Sequence, residues 1–199
     1  MVSSGSGSRE RRVRVRTIFR AMIQFTVFDT ALGWAAVAWN EAGLTAVRLP
    51  SSERNRTEAG LKRRCPDAVA GEPPPAIAAV VVAIRELLAG GRPSLADAPL
   101  DLSRTSPFDA EVYAVARAIP PGETLTYGEV GERLGDKRLA REVGQALGAN
   151  PWPIVVPCHR VTAAGGKLGG FSAPGGRTTK LKLLAIEGAA AAAQGDLFT

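Results

Sequence analysis

Residues 150–161, Asn-Pro-Trp-Pro-Ile-Val-Val-Pro-Cys-His-Arg-Val, allow fewer conformations than any other stretch of the chain. Three prolines fix φ and remove three backbone donors, so the stretch is neither a helix interior nor a central strand. The β-branched run Ile154–Val156 keeps it extended, and Pro157 presets the φ from which a helical turn begins. The result is a rigid strap that delivers Cys158 and His159, the only histidine of the chain, to a fixed place. Free N–H groups at the start of a helical turn favour negative charge, so this position predicts a Cys158 biased toward the nucleophilic thiolate. His159 is the natural proton acceptor. Neighbouring residues on a turn do not face each other, so a water between sulfur and imidazole is expected rather than direct contact. A carboxylate is needed to orient the imidazole and hold its charged form, and Glu187, at the end of a predicted helix, fits that role. Taken singly, each residue has a plainer reading: a packing cysteine, a hydrogen-bonded core histidine, a surface glutamate.

The strap needs a scaffold, and 199 residues with 45% hydrophobic side chains supply one ordinary domain or two small ones. Residues 1–21 are Ser/Gly-rich, then Arg-rich, and read as a disordered extension; Met22, where the first ordered pattern begins, is a second candidate start. Ile23–Phe28, Trp34–Trp39 and Leu44–Leu49 read as a three-stranded antiparallel meander with turns at Thr30–Gly33 and Asn40–Gly43. Helices are predicted over Glu53–Arg64 and Ile77–Leu88, which completes an α/β N-terminal domain over residues 22–91. Residues 92–106 read as a linker. A second domain over 107–190 opens with a helix at Phe108–Ile119, followed by short helices at Tyr127–Leu134 and Arg138–Leu147 around Gly135-Asp136-Lys137. That pair has helix-turn-helix proportions, which an ordinary helical hairpin shares. Residues 191–199 read as a flexible tail.

The net charge of +6 is unevenly placed: +5 in residues 1–20, −3 in 21–137, +6 in 138–182 and −2 in 183–199. The late basic segment reads either as a phosphate-contacting surface or as a solvated face. No apolar run approaches the roughly 20 residues a membrane span requires. Cys65 and Cys158 lack paired spacing, which argues against a disulfide framework or a Cys/His zinc site and for a reducing, cytoplasmic setting. No signal-peptide pattern fits the start.

Pro157-Cys-His-Arg160, preceded by Asn150-Pro and followed by Gly169-Gly-Phe-Ser172, with Tyr127-Gly and Arg141 upstream, resembles the O6-alkylguanine-DNA alkyltransferases. The resemblance covers about residues 22–190 and is strongest over 107–188. It implies a ribonuclease H-like antiparallel sheet with helices, then a helical, winged helix-turn-helix-like DNA-binding domain carrying the reactive cysteine. It implies DNA repair by direct damage reversal in double-stranded DNA: one irreversible transfer of an alkyl group from the O6 of guanine, and in some relatives the O4 of thymine, to Cys158. No cofactor or metal is implied, and a monomer is expected. By the same resemblance His159 acts through water as base, Glu187 orients it, and Asn150 braces the reactive segment. Tyr127 donates toward the base and displaces a phosphate, and Arg141 fills the stack that the flipped nucleotide vacates. Leu147, Val161, Phe171 and Ser172 line the base pocket with Tyr127. Ala140 and Gly144 are small residues one turn apart, suited either to approach of the minor groove or to close helix packing.

The chain departs from the family in places. Phe171 stands where some relatives have tyrosine, and the ligands of a structural zinc found in some are missing, so Cys65 reads as structural. The main rival is a non-catalytic sensor that binds alkylated lesions, in which the cysteine is replaced. A thiol hydrolase would also need an oxyanion site that the sequence does not reveal. At the far end, Gln194, Leu197 and Phe198 resemble the Gln-x-x-Leu-Phe peptides that dock into the bacterial sliding clamp, unless the two apolar residues fold back on the protein. A peptide of residues 189–199 should bind the clamp in fluorescence anisotropy, and absence of binding at high micromolar clamp removes the idea.

Overall fold

The computed structural model describes residues 22–190; the predicted extension over 1–21 and the tail with its clamp-like residues lie outside them. The meander forms as β1 (Gln24–Thr30), β2 (Gly33–Asn40) and β3 (Gly43–Ser51). Two-residue turns join the strands, and the register is set at their ends by the pairs Thr30↔Gly33 and Asn40↔Gly43. Both glycines have positive φ, and a Cβ on Gly33 would stand 2.4 Å from the Ser51 carbonyl oxygen. Each turn therefore requires the residue it has. The sheet order is β3-β2-β1-β4, where β4 is Val69–Ala70, parallel to β1.

Because alternate residues of a strand face opposite sides, β2 serves two cores. Ala36 and Ala38 pack with Phe25, Ala46, Leu61 and Cys65 beneath α1 (Arg54–Arg64). Val37 and Trp39 face the larger core, to which α2 (Pro75–Leu88) contributes Ile77, Val80, Val81, Ile84, Leu87 and Leu88 at helical spacing. Alanines on one side admit a close helix, and larger residues on the other fill a deeper layer. The larger core continues without a break into the second half of the chain through Val112, Val143, Trp152, Val156 and Leu183.

The outer edge of β3 is covered from within. Leu44 N–H donates to the Pro99 carbonyl at 2.8 Å, Asp101 N–H and Trp152 Nε1 donate to the Leu44 carbonyl at 2.9 and 2.7 Å, and Val47 N–H donates to the Pro151 carbonyl at 2.9 Å. Residues 92–106 and the start of the strap thus satisfy an edge that would otherwise invite another strand.

The remaining helices are α3 (Pro107–Arg117), α4 (Tyr127–Arg133), α5 (Ala140–Ala149) and α6 (Gly176–Ile186). Helix α3 begins with Pro107 after an N-cap at Ser106, and α4 begins with a Thr126/Glu129 capping box. Between α4 and α5 the chain makes a 3-10 turn at Lys137–Leu139, so the second helix of the pair starts at Ala140, two residues later than the sequence suggests. A Cβ on Gly131 would approach the Asp136 carbonyl to 2.8 Å, so the turn closes tightly over α4. Two-residue strands β5 (Leu125–Thr126) and β6 (Val161–Thr162) pair in parallel and bring the end of the strap beside the start of α4. The architecture is mixed α/β, with one antiparallel meander and helices on both faces.

Candidate functional site

The strap is held by its own asparagine. Asn150 Nδ2 donates to the Val156 carbonyl at 2.8 Å, and its Oδ1 accepts from Trp152 N–H at 2.8 Å. Val156 N–H closes the loop onto the Trp152 carbonyl at 2.7 Å. Inside it Ile154 has φ of 77°, a conformation that a β-branched residue adopts only when its surroundings impose it. Trp152 supplies that constraint, being fully buried, bonded to the Leu44 carbonyl and packed edge-on against Tyr113 at 5.8 Å.

After Pro157 the chain makes one 3-10 turn, Cys158–Arg160. Here the electrostatic expectation fails. Three residues carry almost no aligned dipole, and burial pushes the Cys158 thiol above its ordinary value. A hydrogen bond with Asn150, the charge of Lys180 and the N–H groups of Cys158 and His159 act in the opposite direction without reversing it. Cys158 as a residue is half-buried and is not paired in a disulfide.

His159 is fully buried, and its Nε2 lies 2.9 Å from Glu187 Oε1. Glu187, the C-cap of α6, is equally enclosed. Arg160 completes the cluster: its Nε donates to Glu187 Oε2 at 2.9 Å, its Nη2 to Oε1 at 2.8 Å, and its Nη1 to the Ile119 carbonyl. Gly122 N–H adds a longer bond to Oε2 at 3.4 Å. The His159 and Arg160 contacts, opposed by burial, hold the Glu187 carboxyl down at about 2. Burial, helped by Arg160 and Lys180, lowers the imidazole against the pull of Glu187, so His159 is neutral at pH 7. An ionised carboxylate only accepts, so Nε2 carries the ring proton and Nδ1 carries the lone pair. Nδ1 is buried without a protein partner.

Both shifts are downward, and both make stability depend on pH in the same sense. The unfolded chain takes up protons first, at about 6.5 for His159 and about 4.5 for Glu187, while the folded protein resists. The expected melting temperature is flat near pH 7, declines as pH falls below about 6.5, and drops steeply from about 4.5 toward 2. Thermal melts across pH 3–8 check this; a constant value down to pH 3 contradicts it.

Tyr127 sits at the start of α4 with its hydroxyl 3.3 Å from the Gly170 carbonyl. Its ring fits between two glycines. A Cβ on Gly144 would lie 3.8 Å from it, and one on Gly169, where φ is 73°, would lie 2.9 Å away. A Cβ at 144 would make only ordinary van der Waals contact with the ring, so Tyr127 does not by itself require glycine there. Leu147 and Val161 are buried, Phe171 packs against the core, and Ser172 Oγ donates to the Gly148 carbonyl at 2.9 Å, tying the 171–173 segment to α5. Arg141 is exposed on α5 together with Gln145 and Gly148, one turn apart, while Val143, Ala146 and Leu147 face inward. Ala140 borders the exposed face.

Two residues without a role in the sequence reading belong to the site. Arg160 was visible only as part of a motif. Lys180 was counted among surface charges, yet it is fully buried and donates to the Val161 carbonyl at 2.6 Å. Its spacing with Leu183, Leu184 and Glu187 on one helical face was the available signal. The basic segment 138–182 is therefore not one surface, since two of its seven cations are inside and Arg138 pairs with Asp136 at 2.8 Å. Among the described residues no His, Cys, Asp or Glu cluster is placed to hold a metal, and no helix is long and apolar enough to cross a membrane.

Comparison with known proteins identifies the family of the whole chain. Residues 107–189 match the family model described as 6-O-methylguanine DNA methyltransferase, DNA binding domain. A methylated-DNA–protein-cysteine methyltransferase from Mycolicibacterium paratuberculosis is 37% identical over 166 residues, spanning 83% of this chain and 93% of the relative. A Thermus thermophilus protein named DNA base-flipping protein is 41% identical over 131 residues, 64% of this chain and 86% of that one. The crystal structure of Mycobacterium tuberculosis OGT in complex with DNA superposes with a TM-score of 0.63 at 33% identity, covering 88% of this chain and 99% of that one. With that identity maintained over nearly the full length of its relatives, the chain belongs to the methylated-DNA–protein-cysteine methyltransferase family.

Proposed function

We propose that the protein repairs DNA by taking an alkyl group from the O6 of guanine onto Cys158, once per molecule. The observation that carries this reading is the enclosed array of Asn150, Cys158, His159, Arg160 and Glu187, in which His159 Nδ1 is the one buried side-chain polar atom left without a partner. The sulfur attacks the saturated carbon, the carbon–oxygen bond breaks, and the departing guanine oxygen takes a proton. Because burial keeps the thiol protonated, the proton must leave as the substrate binds, through water to His159 Nδ1. Glu187 then stabilises the imidazolium it already orients. Tyr127, with its hydroxyl at the pocket, donates toward the leaving base.

A base inside a duplex hides the reacting carbon, so the nucleotide must rotate out at a cost of a few kcal/mol. Arg141 on the exposed face of α5 fills the gap, and Ala140 and Gly144 let the helix approach the minor groove. In this reading the α4–α5 pair is a helix-turn-helix with 171–173 and the β5–β6 pair as its wing-like support. The meander with its helices is ribonuclease H-like, and Leu147, Val161, Phe171 and Ser172 complete the base pocket. O4-alkylthymine is a second candidate substrate. The protein works as a cytoplasmic monomer, with the sliding clamp as a candidate partner through Gln194, Leu197 and Phe198. A non-catalytic sensor would have no use for a retained Cys158 braced in this way.

The test is a titration. Protein added to excess duplex carrying one O6-methylguanine should remove one methyl per protein molecule and then stop, whereas continued turnover or no removal contradicts the reading.

A further inference from the structure

The average charge of residues 21–137 hides a concentration. From Arg48 to Arg64 there are six cations and two carboxylates, a net of +4 inside a segment that carries −3 as a whole. Five of the six lie on α1, namely Arg54, Arg56, Lys62, Arg63 and Arg64, and all five are exposed. Cations in the last turn suit the helix dipole, but Arg54 and Arg56 occupy the first turn, where the dipole opposes them. The acid beside them, Glu53 at the N-cap, makes no capping bond. Among the described residues α1 has one ion pair, Lys62 with Glu58 at 3.0 Å. Beneath the helix Arg48 of β3 adds the sixth charge: a Cβ on Gly60 would stand 2.8 Å from its Nη2, and its Nε is buried without a partner. Burial, then Arg63 and Arg64, pushes this guanidinium below its ordinary value, so the cluster repels itself. Packing gives no reason for such a cluster. A partner of dense negative charge does.

The side chains indicate the chemistry of that partner. Five of the six cations are arginines, whose planar forks match phosphate oxygens in pairs. Arg56 and Arg63, seven residues apart, fall on one line of the helix about 10 Å from each other, a length over which a duplex presents about six phosphate charges. The exposed residues of α1 include no large apolar side chain, which a membrane surface would require. Helix α1 covers the sheet face opposite the core that runs on into α5, so its cations are separate from the lesion-reading helix.

We infer that α1, with Arg48 beneath it, is a second DNA-binding face, one that holds phosphates of duplex DNA away from the lesion and reads no sequence. The inference takes from the proposed function only that DNA is the partner.

The test is the salt dependence of binding to an unmodified duplex, followed by fluorescence anisotropy with the full chain. Arg56→Gln, Arg63→Gln and Arg64→Gln together should lower the slope of log Kd against log salt by about two to three and weaken binding at low salt by about tenfold or more. The corresponding Arg→Lys changes should keep the slope, and so should Arg85→Gln, which removes an exposed cation of α2 across the sheet. Methyl removal at saturating lesion duplex should proceed at the wild-type rate in the triple variant. All three arginines are exposed, so the fold should survive; if it does not, Arg63→Gln alone, with a fall of about one in the slope, replaces the triple variant. A wild-type slope overturns the inference. Normal DNA binding with lost binding to polyglutamate also overturns it, and assigns the face to an acidic protein. A reduced slope in a protein that removes no methyl from DNA would instead refute the proposed function and leave the second face standing.

Discussion

Glu187→Gln is expected to cost about 3–5 kcal/mol of stability, because it strands the Arg160 guanidinium in the core with no counter-charge. For a chain of this size each kcal/mol moves the melting temperature by about 2–4 °C, so the expected loss is roughly 6–20 °C. The amide keeps the shape of the carboxylate, which isolates charge from packing. Transfer should slow by about a hundredfold or more, since the imidazolium formed during proton uptake has lost its stabilising partner. Replacing Arg160 by methionine in the same protein should recover much of the stability, because the buried ion is removed along with the missing partner, and should recover none of the rate. Thermal melts and single-turnover kinetics on both variants separate the effects. A Glu187→Gln protein within about 1 kcal/mol of wild type would mean that the array does not carry the weight assigned to it.

A second large effect is expected from one methyl group. Gly169 adopts φ of 73°, and an alanine Cβ would lie 2.9 Å from the Tyr127 ring and 3.1 Å from its hydroxyl. The backbone conformation alone costs roughly 1–2 kcal/mol for an L-residue, and a Cβ that close forces the Tyr127 ring to shift. Displacing Tyr127 disturbs the pocket and the Lys180 contact together, so Gly169→Ala should slow transfer by about tenfold or more, the equivalent of about 1.4 kcal/mol. Gly170 next to it faces open space and makes the control: Gly170→Ala should react at nearly the wild-type rate. Equal rates for the two variants would remove Tyr127 from the reactive geometry.

The strands, α1, α2 and α3 could be placed from the sequence because each carries its own periodicity and its own punctuation, such as Gly33, Gly43 and Pro107. Elements without room for a pattern escaped. Strands β4, β5 and β6 have two residues each, and what makes them strands is a partner elsewhere in the chain. The 3-10 turn before α5 escaped for the same reason, since a shift of two residues leaves the apolar spacing intact. Within the site, His159 and Glu187 were recognisable because reaction chemistry calls for their types. Arg160 has the same look as a surface arginine until Ile119 and Glu187 are brought to it by the fold. The thiol's direction was misjudged because a proline-started turn was credited with the field of a helix, and three residues do not sum to one. Lys180 was hidden in a charge count, where burial cannot be seen.

The central claim is that Cys158 itself receives the alkyl group. Intact and peptide mass spectrometry after incubation with a duplex containing one O6-methylguanine, beside a Cys158→Ala control, tests it directly. The account predicts a single methyl on the peptide containing Cys158, one per protein and absent from the control. A protein that binds the lesion and remains unmodified, or one that carries the methyl on Cys65, would contradict it.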